Sequence, residues 1–364
     1  MVVNPDFWRH RRVFVTGHTG FKGGWLVMWL RLMGAEVCGY STEPPSNPNL
    51  FTVARLGDGI QDIRADIRDR DGLAAAINSF APSIVFHLAA QPIVRVGYEL
   101  PEETYASNII GTLNVLMALR LTPSVRAALN ITSDKCYDNQ EWLWPYRECD
   151  PLGGRDPYSA SKACAEILTH SYAQSFLGDA SDVRVATCRA GNVIGGGDWG
   201  RDRLVPDLMR AFAAGKPAVI RNPESVRPWQ HVLDALAGYI SLAERLADEE
   251  GAAFKGAWNF GPDLSSEQPV KHLAIAAAKI WGGGKLDFKA NRAGPHEART
   301  LKLDSSKARQ LLGWRPAWSQ PEAVRRTVEW YRRHFAGEDM KRVSQDELEA
   351  YMDTIGLKPY APAH

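Results

Sequence analysis

The sequence has no long apolar run, no surplus of either charge and no closely spaced cysteines, and each absence removes a class of function. Residues 1–12, MVVNPDFWRHRR, carry charges and a proline but no apolar core of signal-peptide length. No later stretch reaches the roughly 20 apolar residues that a bilayer span requires. A cytosolic protein with no membrane partner is expected. Lys plus Arg number 43 against 42 for Asp plus Glu, so the basic excess that nucleic-acid binding leaves behind is missing, and a small-molecule partner is expected instead. The five cysteines, Cys38, Cys136, Cys149, Cys164 and Cys188, are odd in number and scattered. They suggest reduced thiols, not a disulfide framework or a zinc site. The histidines have no metal-ligand spacing, and no internal repeat or low-complexity tract is present.

What is present is an alternation. Short apolar or β-branched runs recur, each followed by a segment of helical period: RVFVTG at 12–17, EVCGYS at 36–41, SIVFHLAA at 83–90, AALNITS at 127–133 and VRVATCRA at 183–190. This order predicts an α/β fold, a parallel sheet with helices on both faces. After about residue 195, where Gly195, Gly196 and Gly197 fall together, the pattern loosens. The expected division is a nucleotide-binding domain over 1–190, a mainly substrate-binding lobe over 191–340 whose late strands can return to the main sheet, and a peripheral helix with a loose tail over 341–364.

Between the first strand and the first helix lies TGHTGFKG, 16–23, with Gly17, Gly20 and Gly23 in GxxGxxG spacing. Glycine suits a backbone that must turn sharply and approach a pyrophosphate closely, at a helix N-terminus whose free N–H groups face the anion. The second strand ends at Tyr40, Ser41 and Thr42, with Glu43 close by and no Arg or Lys to hold an NADP phosphate, so NAD is the expected dinucleotide. Asp66, at the end of the next strand and before Ile67, is an adenine neighbour, a helix cap or a solvated loop acid.

YSASK, 158–162, sets Tyr158 and Lys162 on one face of a helix beginning near Pro157. A nearby ammonium lowers a phenol's pKa, which lets Tyr158 exchange a proton with a substrate hydroxyl. Ser133 ends the preceding strand in NITSDKCY, where its hydroxyl can complete a Ser, Tyr, Lys triad.

The Gly-rich turn, strand-end hydroxyl and YxxxK, in this order and at these separations, resemble the extended short-chain dehydrogenase/reductase family over nearly the whole chain. HLAAQ (87–91), Asn108 in SNIIGT, and RAGNVIGG (189–196) match further stations of that pattern. The resemblance implies a Rossmann-type doubly wound parallel sheet with a smaller C-terminal substrate-binding lobe. It places NAD against Gly17, Thr19, Gly20, Phe21, Gly23, Asp66, Ile67, Leu88, Ala89, Tyr158 and Lys162, and a nucleoside diphosphate sugar in the C-terminal lobe. It also implies a homodimer or homotetramer paired through helices around 101–121 and 158–176.

Asp134 and Lys135 narrow the reading. In the nucleotide-sugar 4,6-dehydratases of this family the strand-end hydroxyl is followed by an acid that protonates the departing C6 hydroxyl and then by a base that removes the C5 proton. The base is glutamate in the branch acting on dTDP-glucose, whereas SDKCY, with lysine, looks like the branch acting on CDP-glucose. The alternatives are another nucleotide-sugar dehydratase, an NAD-dependent epimerase, which needs no such acid and base, and a dinucleotide sensor without chemistry. On the substrate side, Asn192, RDRLVPDL (201–208), RPWQHVLDAL (227–236), WNFGP (258–262) and NRAGPHEAR (291–299) resemble family stations. Arg227 suits a diphosphate contact because guanidinium meets phosphate oxygens as a fork. Arg203, Asn259, Arg292 and His296 are further substrate candidates, and His231 and Asp234 are expected to orient their segment.

Overall fold

The computed structural model describes residues 3–177, 182–263, 267–289 and 300–357. Its twelve strands among these residues are β1 (Arg12–Thr16), β2 (Glu36–Ser41), β3 (Gln61–Arg64), β4 (Ile84–His87), β5 (Ala127–Ile131), β6 (Arg184–Ala190), β7 (Asn192–Ile194), β8 (Ala218–Ile220), β9 (Val226–His231), β10 (Gly256–Phe260), β11 (Glu267–Pro269) and β12 (Leu286–Phe288). Seven of them form one sheet in the order β10-β6-β5-β4-β1-β2-β3, with every pairing parallel. The chain winds outward from β1 in both directions, so the strand order reverses between β1 and β4. A crevice opens there at the strands' C-terminal ends.

Both sheet faces are buried, which is why the central strands read as near-continuous apolar runs. Val13, Val15, Ile84, Phe86 and Leu129 point to one face, which is covered by the helices Phe21–Leu32 and Val232–Ala247. Phe14, Val85 and Ala128 point to the other, beneath the helices Arg70–Phe80 and Gly111–Arg120. Beyond the crevice, β7 and β9 pair in parallel and β11 joins β9 antiparallel, while β8 pairs with β12. These small sheets carry the opposite wall of the site.

The C-terminal helix Met340–Thr354 is attached more tightly than its charged sequence suggests. Met340, Val343, Leu348, Tyr351 and Met352 fall on one face and join the main core, and Tyr351 donates from its hydroxyl to Asp234 Oδ1 at 2.8 Å. Among the described residues no helix is long and apolar enough to cross a membrane, and no group of His, Cys, Asp and Glu could hold a metal ion.

Candidate active site

A cleft of about 1470 Å³ runs along the C-terminal ends of the strands, between the main sheet and the small sheets. At one end is the Gly-rich turn. Gly17 adopts φ +75°, and a Cβ there would lie 2.6 Å from the Ala89 nitrogen. A Cβ on Gly23 would lie 2.1 Å from the Gly17 carbonyl oxygen. The turn therefore closes on the β4 loop and lets the helix Phe21–Leu32 start directly beneath it. Gly20 caps that helix with no side chain, so its first N–H groups face the cleft. Below the turn, Thr16 Oγ1 lies 2.7 Å from His87 Nδ1, and Thr112 Oγ1 lies 3.1 Å from His87 Nε2. Burial, with the Lys162 charge adding to it, pushes His87 down to about 3, so this ring is a neutral brace.

Thr19, Phe21, Leu88, Ala89, Asp66 and Ile67 all line the same end. Asp66 accepts from the Arg68 backbone N–H at 2.8 Å and from Arg68 Nε at 2.9 Å, and the hydrogen bond from Arg68 holds its carboxyl below the usual range. Ile67 packs where a Gly111 Cβ would otherwise be, 2.4 Å from its Cδ1.

At the cleft's centre, β5 delivers Ser133 and the helix Pro157–Phe176 delivers Tyr158 and Lys162. Asp156 caps this helix, accepting from Ser159 N at 3.0 Å, and Pro157 occupies its first turn. Lys162 Nζ donates to the Ile131 carbonyl at 3.1 Å, which ties the helix to the end of β5. Burial, with the Lys22 charge adding to it, brings this ammonium down to about 8. Asn108 sits in a wider π turn, Ala106–Ile110, and donates to Ser161 Oγ at 2.8 Å, fixing the same helix from the side.

Tyr158 is pushed up to about 12 by burial, which outweighs its hydrogen bond with Ser133 and the Arg203 charge.

Ser133 caps the short turn Asp134–Cys136 and donates to Asp134 Oδ1 at 3.0 Å. Asp134 is buried, and desolvation raises its carboxyl above the usual range despite Lys135, the Ser133 hydrogen bond, Lys22 and Arg227. Lys135 is half-buried beside it. The cleft thus brings together a buried carboxyl biased toward its protonated form, an amine, a phenol and a hydroxyl.

On the opposite wall, Asn192 lies in β7, in register with Trp229, and Arg227 lies in β9. Arg203 donates to Asp198 Oδ2 at 2.8 Å. All three line the cleft. Asn259 does not. Its side chain is fully buried, accepts from Tyr137 Oη at 2.7 Å and donates to the Tyr146 and Asp304 carbonyls at 2.9 and 3.1 Å. Arg292 and His296 lie outside the described residues. His231 caps the helix Val232–Ala247 and places Nε2 3.1 Å from Glu347, and Asp234 accepts from the Ala317 N–H at 2.6 Å, so both hold segments in place.

Two features escaped the sequence reading. Lys22, inside the Gly-rich turn, points into the cleft, and burial with the Arg203 charge brings it down to about 8. Glu166, one helical turn after Lys162, anchors a buried network. It accepts from Thr132 and, at 2.7 Å, from Thr187, and pairs with Arg189 at 2.8 Å. Arg189 also donates to Tyr137 Oη at 2.8 Å. The GxxGxxG spacing marks Lys22 by position, whereas nothing local pairs Glu166 with Arg189.

The comparisons agree with this geometry. The chain is similar to the CDP-glucose 4,6-dehydratase of Salmonella typhimurium, with 48% identity over 355 residues that cover 96% of this chain and 99% of the relative. It is 28% identical to the UDP-glucose 4-epimerase of Mycolicibacterium smegmatis, over 88% of this chain and 98% of that one. A solved structure of MoeE5 in complex with UDP-glucuronic acid and NAD superposes with a TM-score of 0.75 at 25% identity, covering 89% of this chain and 99% of the other. The family described as GDP-mannose 4,6 dehydratase matches residues 14–327, and with its Rossmann-type sheet and the cleft at its strand ends this chain belongs to that family.

Proposed function

We propose that the chain converts CDP-glucose to CDP-4-keto-6-deoxyglucose and water, with NAD as resident cofactor. The observation that carries this reading is Asp134: a buried carboxyl raised by desolvation, beside Lys135 and in one cleft with Tyr158. An epimerase has no use for such an acid. The relative of nearly half-identical sequence supports the cytidine substrate.

The residues fit the cofactor. Gly17 and Gly23 keep free the space a Cβ would fill, and the uncapped N–H groups at Gly20 face it, as a pyrophosphate requires. When bound, NAD supplies a hydride acceptor for C4, a hydride donor for C6 and a positive ring charge. Tyr158 takes the C4 hydroxyl proton. The resulting ketone acidifies the C5 hydrogen, which Lys135 removes while Asp134, protonated, donates to the C6 hydroxyl so that water leaves. The Ser133 hydrogen bond and the Arg203 charge both favour ionised Tyr158. Arg227 is assigned to the diphosphate, and Asn192 and Arg203 to the substrate side of the cleft. Asn259 holds the wall behind them.

The assembly is read as a homodimer or homotetramer through the helices Pro157–Phe176 and Gly111–Arg120 with the turns before the latter. Ile110, Leu121 and Ile167 are 49%, 63% and 56% exposed there, an apolar strip of the kind that a partner covers. The unpaired thiols suit the cytosol.

A panel of nucleoside diphosphate glucoses with product masses tests the reading. Loss of water is expected with CDP-glucose as the best substrate, and deuterium at C4 of the substrate should appear at C6 of the product. A product of unchanged mass, or solvent hydrogen in place of the deuterium, would overturn it.

A further inference from the structure

The end of β2 is where a dinucleotide site commonly places the acid that binds the adenosine ribose, and here that position is Ser41, with no carboxylate of its own. The neighbouring strand supplies charge instead. β2 and β3 run parallel with Ser41 opposite Arg64 and Gly39 opposite Asp62. Side chains alternate along a strand, and register partners share a face. Ser41 Oγ lies 2.9 Å from Thr19 Oγ1 of the Gly-rich turn, so Arg64 and Asp62 leave the sheet on the turn's side.

Arg64 is held there by two carboxylates. Its Nε lies 2.9 Å from Asp62 Oδ1, its Nη2 donates to Asp62 Oδ2 at 2.9 Å, and its Nη1 reaches Glu43 Oε2 at 3.5 Å. The guanidinium also lies over the Phe51 ring, 4.6 Å from its centroid. Asp62 is fixed from inside by the buried His18, whose Nε2 lies 2.8 Å from Oδ1. His18 has room because its neighbour is Gly39, where a Cβ would come within 2.3 Å of the imidazole. Glu43 lines the main cleft and also a smaller hollow of about 480 Å³ that Arg64 lines with it.

We propose that Glu43, Arg64 and Asp62 form the gate that makes this site choose NAD over NADP, an inference that rests on the cofactor reading above. Arg64 has the chemistry of a 2′-phosphate ligand and lines the hollow that shares Glu43 with the cleft, but two carboxylates engage it and leave the group with a net negative charge. Glu43, exposed and on the cleft side, repels a 2′-phosphate and offers an acceptor to a free ribose hydroxyl. Removing its charge releases Arg64 toward the phosphate.

The test is direct titration of the full chain with NAD and with NADP, read by calorimetry without sugar substrate. Glu43 is exposed, so Glu43→Gln should fold as the unaltered chain does. It should improve NADP binding relative to NAD by about 10- to 100-fold, the range a charge-assisted hydrogen bond supplies. Adding Arg64→Leu to Glu43→Gln should cancel that gain. A ratio unmoved by Glu43→Gln, a gain that survives loss of Arg64, or equal binding of the two dinucleotides by the unaltered chain would each overturn the gate while leaving NAD in place. If the unaltered chain binds neither dinucleotide, the cofactor reading falls and the gate with it.

Discussion

Replacing Asp134 by Asn isolates one proton. The side chains have nearly the same volume, and the amide oxygen can still accept the hydrogen bond that Ser133 Oγ makes to Oδ1 at 3.0 Å. Because burial raises the Asp134 carboxyl, the acid form extends to higher pH than for an exposed carboxyl, and Asn, also neutral, disturbs the charges of Lys135, Lys22 and Arg227 little. What is lost is the donor to the C6 hydroxyl. A positioned general acid is worth about 100- to 10,000-fold, or roughly 3–5 kcal/mol of barrier. In a single-turnover experiment with CDP-glucose, the variant should oxidise C4 at close to the unaltered rate. The reduced-nicotinamide absorbance should then build up while the 4-keto-6-deoxy product lags by that factor. The unaltered elimination rate should fall as pH rises through the raised pKa, and the variant should lack this limb. Stability has the matching sign. A carboxyl whose folded pKa is raised contributes stability that is full below the unfolded value and lost as pH rises through the folded one. At neutral pH Asp134→Asn should therefore unfold at a higher denaturant concentration than the unaltered chain. Product formation at the unaltered rate, or equal slowing of oxidation and elimination, would refute the assignment.

Other outcomes follow from the same geometry. Lys135→Ala should likewise slow elimination about 100- to 10,000-fold more than the first oxidation, and unchanged turnover would remove Lys135 from the mechanism. Gly17→Ala places a Cβ 2.6 Å from the Ala89 nitrogen at φ +75°, so fluorescence titration should show NAD affinity reduced at least tenfold. Arg189→Met leaves Glu166 buried without its ionic partner and should cost about 3–5 kcal/mol in chemical denaturation. Ile167→Asp puts a charge on the exposed apolar strip, and light scattering should record a shift toward monomer.

The central strands and the turn were legible because their signals are local. RVFVTG and SIVFHLAA are apolar on both faces, and GxxGxxG fixes a turn by spacing alone. β3, QDIR, was harder to place because it is an edge strand with three of its four residues exposed, so it shows no apolar run. β10 returns to the main sheet beside β6 after β7, β8 and β9 have gone to the small sheets, a pairing that no local pattern announces. Among the candidate site residues, Tyr158, Lys162, Ser133, Asp134 and Lys135 could be singled out because they fall within two short segments, which the cleft brings together. Asn259 falls in WNFGP, a segment that resembles a substrate-side station of the family, yet spends its amide on Tyr146, Asp304 and Tyr137, and only the packing reveals that. The hydrogen bond from Lys162 to the Ile131 carbonyl is likewise visible only in the packing, since i,i+4 spacing places Lys162 near Tyr158 but says nothing of β5.

The wall that carries Arg203 depends on chain made much later. Asp198 holds Arg203 with its carboxylate and accepts on its carbonyl from the Tyr331 hydroxyl, while a Cβ on Gly196 would come within 2.0 Å of the Trp330 ring. During synthesis the first six strands of the sheet can assemble, N-terminal part first, while this loop still lacks the surface it leans on. A nascent chain should therefore acquire the Gly-rich turn and its strands early and the wall that carries Arg203 only when the helix Gln320–Phe335 has emerged and docked. Partly made chains would carry Ser133, Tyr158 and Lys162 before the wall that faces them exists.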